Sequence, residues 1–251
     1  MSSSTPEQLR VWGLDAFLLD QPAMRLIAPK PGYVRLGGTY AFNATQANGE
    51  PIADEYLIEI CIPKTFPKEI PLVFERGGRI PPRFHKLRDG SLCLGAPARL
   101  RLILLQSQSL KRFAERCILP YLYGRSFFER HKVLPFGELD HGLNGVLQDF
   151  AELFQTFVGA VPKFVRLTTM KKRQANKLPC PCNSGRRVGQ CHHLEINRLR
   201  NKLGRSWFRT IAYHLSVDAE YRATLPEPAS FTRTRHREIA AIKGLVPIQT
   251  S

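Results

Sequence analysis

Residues 56–95 read YLIEICIPKTFPKEIPLVFERGGRIPPRFHKLRDGSLCLG, and the order of patterns inside this stretch decides the fold. Glu55–Ile62 is rich in β-branched and aromatic residues and reads as a strand, as does Leu72–Glu75. Between them Pro63, Pro67 and Pro71 each fix φ and remove a backbone donor, so the chain must run as a stiff, irregular connection. A loop follows the second of these strands. It carries Cys93 between Gly90 and Gly95, outside any helical or strand period, so its thiol is a candidate nucleophile.

Outward from this stretch the pattern stays regular. Tyr33–Ala44 is a third strand candidate, joined to Glu55–Ile62 through the turn formers Asn48-Gly49, which gives an antiparallel meander of at least three strands. Before it, residues 6–19 place Leu9, Trp12, Ala16 and Leu19 at helical spacing, flanked by Phe17, after a Thr5 cap and Pro6. After the cysteine loop, residues 109–122 and 143–157 have helical spacing. The order helix, meander, cysteine loop, helices predicts an α+β fold for residues 1–162.

At 251 residues with 43% hydrophobic content, the chain can bury a sizeable core. No stretch approaches a membrane span and the start MSSSTPEQLR lacks a secretory apolar region, so the expected address is the cytoplasm, with no membrane partner. In that reducing compartment Cys61 and Cys117 read as small buried hydrophobes, one in a strand and one in a helix. The formal charge of +16 attracts anionic partners and is concentrated from Lys163 onward.

Residues 163–178 read as a basic linker, residues 179–222 as a small module, and residues 223–251 as a loosely structured tail. The module begins PCPCNSGRRVGQCHH. Cys180, Cys182, Cys191 and His192 supply four ligands of the type and spacing that suit a closed, tetrahedral structural Zn2+ site, with His193 as the alternative to His192. Asn183-Ser184-Gly185 forms the turn that lets the two pairs converge. One helix follows, with Leu199, Leu203, Trp207, Ile211 and Leu215 recurring every fourth position.

The strand, the Phe66-Pro67 and Pro71 link and the Gly90-x-Leu92-Cys93-Leu94 loop resemble the catalytic core of ubiquitin-conjugating enzymes, over about Val34 to Leu94. Downstream, the segments leading to PFGELDHGLNG resemble bacterial members of that family found in antiphage defence, notably in cyclic-oligonucleotide (CBASS) operons. The resemblance implies that Cys93 carries an acyl group as a thioester and passes it to an amine. The implied cargo is the C-terminus of a ubiquitin-like protein or of a nucleotidyltransferase. Where the eukaryotic members carry His-Pro-Asn, this chain has Arg83, Phe84 and His85. His85 then takes the asparagine position, from which its ring N–H can donate to an oxyanion and, when charged, lower the thiol pKa. Asp89 can orient an incoming lysine or start the Asp89-Gly90 turn, and the turn is favoured by sequence.

The Cys-rich tract is similar to the SEC-C motif, with Asn183 where that motif has glycine. The resemblance implies a module that docks proteins. Two other functions fit the same residues: a catalytically silent binding protein of the same fold, and a basic nucleic-acid-binding protein with a structural zinc. The chain shows neither a glycine-rich nucleotide loop between strand and helix nor a second glycine-flanked cysteine loop, so activation of the cargo falls to a separate enzyme or to a pre-activated substrate.

Overall fold

The computed structural model describes residues 12–46, 49–135, 142–222 and 246–247, and is α+β. These residues form two compact units: 12–46, 49–95, 103–135 with 246–247, and 96–102 with 142–222.

The first unit opens on helix α1 (Leu14–Asp20), which begins after Gly13 and buries Leu14 and Phe17. Trp12 is also buried, but Leu19 is 82% exposed, so the buried stripe of this helix is not the predicted one; Pro6 to Val11 lie outside the described residues. Four antiparallel strands follow in the order β1 (Met24–Lys30), β2 (Tyr33–Thr45), β3 (Pro51–Pro63) and β4 (Leu72–Glu75). The two-residue strand Val246–Pro247 pairs with the end of β2. The three predicted strands are present; Asn48 of the predicted turn lies outside the described residues.

Strand β1 was not predicted, and Pro31-Gly32, which closes its hairpin at Lys30 and Tyr33, is the signal that marks it. Its residues are mostly exposed, so its sequence lacks the apolar alternation that reveals the others. Gly38 is obligatory where β1 crosses β2, because a Cβ there would stand 2.1 Å from the Ala23 carbonyl oxygen. The inward face of β3 carries Ile52, Tyr56, Ile58, Ile60 and Ile62, all buried. Burying each such side chain contributes about 1.5–3 kcal/mol.

On the opposite face Glu59 is 5% exposed and holds Arg35 at 2.7 Å and Arg76 at 2.8 Å. It also accepts the Cys61 S–H at 3.2 Å. Burial, with the neighbouring carboxylate, pushes the Cys61 thiol up to about 11. Cys117 is buried too, and its thiol is pushed up to about 12 by burial. Both match the expectation of packing cysteines.

After the cysteine loop come α2 (Pro97–Ser107) and α3 (Leu110–Phe113). A π-helical turn, Ala114–Ile118, then leads into α4 (Leu119–His131). Leu110, Phe113, Leu119, Leu122 and Tyr123 are buried in the core of this unit.

The second unit is helical. It contains α5 (Gly142–Phe154), α6 (Val161–Thr169), α7 (Lys172–Ala175), α8 (His193–Leu203) and α9 (Arg205–Arg222). Phe150, Phe154, Phe164 and Phe208 form its centre, each 1% exposed or less. The stretch 163–178 is therefore no linker. Val161, Phe164, Val165 and Thr168 recur at helical spacing and are buried, beneath the lysines and arginines that dominate the sequence there. The single helix predicted from Leu199 to Leu215 is two, broken at Gly204 with φ 84°. Arg200, 7% exposed, donates to the Leu167 and Thr168 carbonyls, and Arg205 donates to that of Thr169. These cations satisfy the orphan carbonyls that end α6. Among the described residues no helix is long and apolar enough to cross a membrane.

Candidate active site and metal centre

Residues 85–93 fold back on themselves as a short hairpin. Lys86 bridges to Leu92, the Leu87 amide donates to the Ser91 carbonyl at 2.8 Å, and Gly90 closes the turn onto the Leu87 carbonyl at 2.9 Å. Asp89 accepts from the Ser91 amide at 3.0 Å and from its hydroxyl at 2.6 Å, which is the turn role its sequence favours. The Ser91 hydroxyl bond holds the Asp89 carboxyl below its ordinary pKa. The hairpin is anchored to the sheet because the Leu92 amide donates to the Val73 carbonyl of β4 at 2.7 Å, with Leu92 itself buried.

This anchoring fixes Cys93 one residue beyond a buried leucine, where it is only partly buried, unlike Cys61 and Cys117. Its amide donates to the His85 carbonyl at 2.7 Å. His85 itself is held at φ 43°, in the left-handed region that a non-glycine residue enters at a cost. His85 thus grips Cys93 through its main chain.

Burial pushes the Cys93 pKa up, opposed by a backbone hydrogen bond from Gly95. Gly95 sits at φ 144°, a conformation that favours glycine. The consequence for reactivity has a definite sign. A raised pKa leaves the neutral thiol at pH 7 and yields thiolate only as the pH climbs past the ordinary value of about 8.5. Alkylation of native protein by iodoacetamide, read by peptide mass spectrometry, is expected to label Cys93 at a rate still rising above pH 8.5. Under the same conditions Cys61 and Cys117 are expected to stay unlabelled.

Tyr121, from the first turn of α4, completes the site. Its hydroxyl donates to the Phe84 carbonyl at 3.0 Å and to the His85 carbonyl at 3.3 Å, so it shares the acceptor that holds Cys93. Burial, reinforced by Cys93 once that thiol is ionised, raises its pKa, so the hydroxyl stays a neutral donor. Phe84 lies between Tyr121 and His85, with ring centroids 6.1 and 5.0 Å away, and the Arg125 guanidinium lies 4.7 Å over its face. Sequence reasoning missed Tyr121, because nothing local marks a hydroxyl whose partners lie 37 and 36 residues away. Glu75, at the end of β4, adds a buried brace: it accepts from the Arg79 and Ile80 amides and stands 3.6 Å from Lys86.

Removing the Tyr121 hydroxyl forfeits about 1 kcal/mol of hydrogen bonding and leaves the strained His85 carbonyl one donor short. Tyr121→Phe is therefore expected to slow reaction at Cys93 about fivefold, the rate equivalent of that energy. Alkylation kinetics against an unchanged circular dichroism spectrum check this.

In the second unit Cys180, Cys182, Cys191 and His192 bring one donor atom each within 4.8 Å of one another. His192 Nδ1 lies 3.1 Å from Cys191 Sγ and 3.3 Å from Cys180 Sγ. Its other nitrogen, Nε2, meets the Gln155 carbonyl at 3.2 Å, which selects the Nε2–H tautomer and leaves Nδ1 to face the cluster. The loop folds this way because Asn183 at φ 63° and Gly185 at φ 72° both enter the left-handed region, as the replacement of glycine by asparagine predicts. The Cys180 amide then donates to the Arg186 carbonyl at 2.8 Å, drawing the two ligand pairs together.

The four residues fit a metal ion: they are soft and borderline donors, converging, with no disulfide among them. Burial, with the neighbouring Cys182 and Cys191 thiols, pushes the Cys180 thiol up to about 12, while at Cys182 burial is outweighed by hydrogen bonds from Ser184 and Cys180, which bring it down to about 6. A cation among them would favour the ionised form of the whole set. His193 is not part of the cluster, and its Nδ1 is buried without a hydrogen-bond partner. Compared with known proteins, the chain matches no family model, no curated protein and no solved structure.

Proposed function

We propose that the chain is a conjugating enzyme of the ubiquitin-conjugating type, with Cys93 as acyl carrier and a structural Zn2+ in its helical unit. The observation that carries this reading is the placement of Cys93. It is the partly exposed cysteine of the first unit, held by main-chain bonds on a hairpin that follows a helix and a four-stranded antiparallel meander.

In the first step the Cys93 thiolate attacks the carbonyl carbon of an activated cargo C-terminus, forming a C–S bond as the donor's leaving group departs. In the second an amine attacks the same carbon, forming an amide; the C–S bond breaks, Cys93 leaves as thiolate and the amine's proton passes to solvent. Exchange of one thioester for another is nearly isoenergetic, so the site needs to position the sulfur more than to activate it. The Cys93 amide bond to His85, the Tyr121 hydroxyl and the Leu92 anchor do this. The His85 ring is the proposed donor to the tetrahedral oxyanion. The cargo is a ubiquitin-like protein or a CBASS-type nucleotidyltransferase in antiphage defence, loaded by a separate activating enzyme or supplied already activated.

The Zn2+ would be held by Cys180, Cys182, Cys191 and His192, and would supply a cross-link between the ends of the Cys-rich loop. Intact-mass spectrometry tests the reading directly on protein co-expressed with its native gene neighbourhood and kept in acid without reductant. An adduct on Cys93 that dithiothreitol removes is expected. A chain of unmodified mass under these conditions favours a binding protein of the same shape.

A further inference from the structure

The strongest unassigned feature lies on the surface of the helical unit. Between Glu152 and Glu195 the sequence contains no acidic residue. Within that interval Lys171, Lys172, Arg173 and Lys177, in and around α7, and Arg186 and Arg187 of the Cys-rich loop are all exposed.

Their two segments are zipped together. The Val188 amide donates to the Leu178 carbonyl at 2.9 Å and the Gly189 amide to the Asn176 carbonyl at 3.0 Å, while Pro179 bridges to Arg187. A Cβ on Gly189 would stand 3.1 Å from the Asn176 oxygen, so glycine is what permits so close an approach. The six cations therefore share one rigid patch. Among the described residues none of them is paired with a carboxylate, although the first unit pairs many of its arginines, as Arg79 pairs with Asp54 and Glu129. Arg186 instead donates to the Cys191 sulfur at 3.6 Å, which leaves the other five to carry the unpaired charge. Like charges held together without partners repel, and a bound polyanion relieves that repulsion.

We propose that this patch binds the phosphate backbone of nucleic acid without reading its sequence. The composition of the patch favours phosphate over an acidic protein or a membrane. Protein interfaces are depleted in lysine at their centres and built around buried aromatic or aliphatic anchors. Leu178, 39% exposed, is the one large apolar side chain here. Insertion into a lipid surface likewise needs an apolar face. Backbone binding needs only spread cations, and the arginines add planar forks that match phosphate oxygens. The patch is built from residues of the helical unit alone, so binding is independent of Cys93 chemistry.

The experiment uses the full, metal-loaded chain with fluorescein-labelled poly(U) RNA and random-sequence duplex DNA, read by anisotropy across a salt series. With four to six phosphate contacts, affinity is expected to fall about fiftyfold or more for poly(U), and about hundredfold or more for duplex DNA, between about 50 and 200 mM salt. Lys172→Glu, Arg173→Glu and Arg187→Glu together are expected to weaken binding more than tenfold, with helicity and metal content unchanged. A control triple of equal charge change on the first unit, Arg25→Glu, Lys30→Glu and Lys68→Glu, is expected to weaken it less than threefold. Cys93→Ala should bind as the parent does.

Absence of binding at low salt overturns the proposal, as does equal weakening by the two triples. So does displacement of the RNA by polyglutamate at equal charge concentration, which would assign the patch to an acidic protein. Tighter binding to anionic phospholipid vesicles than to RNA would assign it to a membrane and overturns the proposal as well.

Discussion

Stripping the metal with a strong chelator is expected to unfold the helical unit while the sheet of the first unit persists. The reason lies in what the four ligands connect. Cys180 and Val188 belong to the same buried cluster as Phe154 and Phe164, and the His192 ring stands edge-on to Phe164 at 5.1 Å. Through Nε2 the same histidine holds the Gln155 carbonyl just beyond the end of α5. The centre therefore ties α5, α6 and the start of α8 to one point. A structural zinc of this kind supplies about 10 kcal/mol or more, which is comparable to the whole stability of an ordinary domain.

Two tryptophans make the outcome legible. Trp12 lies in the first unit and Trp207 in the second, where it packs at 5.0 Å against Phe208 and 6.2 Å from Phe150. In a Trp12→Phe background, chelation is expected to red-shift Trp207 emission and erase its near-ultraviolet circular dichroism. Cys182→Ala, leaving three ligands, is expected to do the same at ordinary metal concentrations. Metal analysis should give one ion per chain before treatment. A metal-free protein that keeps the Trp207 signal would refute the role.

The contrast between this unit and the first shows what a sequence makes legible. Strands β2, β3 and β4 stood out because their inward positions are aliphatic or aromatic and their ends are marked by prolines or turn formers. Helix α6 did not, although Val161, Phe164, Val165 and Thr168 lie at helical spacing. Its exposed Lys163 and Arg166, continuous with the basic run after it, gave the segment the composition of a solvated tether. Helix α1 shows the opposite error. Leu19 completes a plausible apolar stripe but faces outward, because the packing of the described helix is set by Leu14 and Phe17 instead.

Candidate sites divide in the same way. The four candidate metal ligands are close in sequence, so their spacing alone pointed to the cluster that the structure brings together, and Asn183 announced its own left-handed turn. Cys93 was marked by its glycines. The bonds that position it were not readable, since they run between main-chain atoms of residues 85 and 93 and a tyrosine hydroxyl on a helix that begins after three intervening elements. Side-chain identity announces donors of chemistry; the groups that aim them are often carbonyls, which every residue possesses.

Cys93→Ala is expected to abolish the thiol-labile adduct completely while changing stability by less than about 1 kcal/mol, the range of substitutions away from a packed core. Both halves follow from where the sulfur sits. The loop is fixed by main-chain bonds at Leu92 and at the Cys93 amide, which alanine retains. Cys61 and Cys117 offer no substitute nucleophile, being 4% and 2% exposed, with thiols pushed far above neutrality by burial. Their alanine variants are expected to form the adduct in full and to lose stability instead, Cys117→Ala by about 1 kcal/mol or more for its lost packing. Cys93→Ser supplies the chemical proof: an ester through oxygen resists the thiols that cleave a thioester, so its adduct is expected to form slowly and to survive dithiothreitol. Thermal melts and intact-mass spectrometry on the four variants measure both halves together. If Cys93→Ala retained the adduct, or unfolded the first unit, the acyl-carrier assignment would fall.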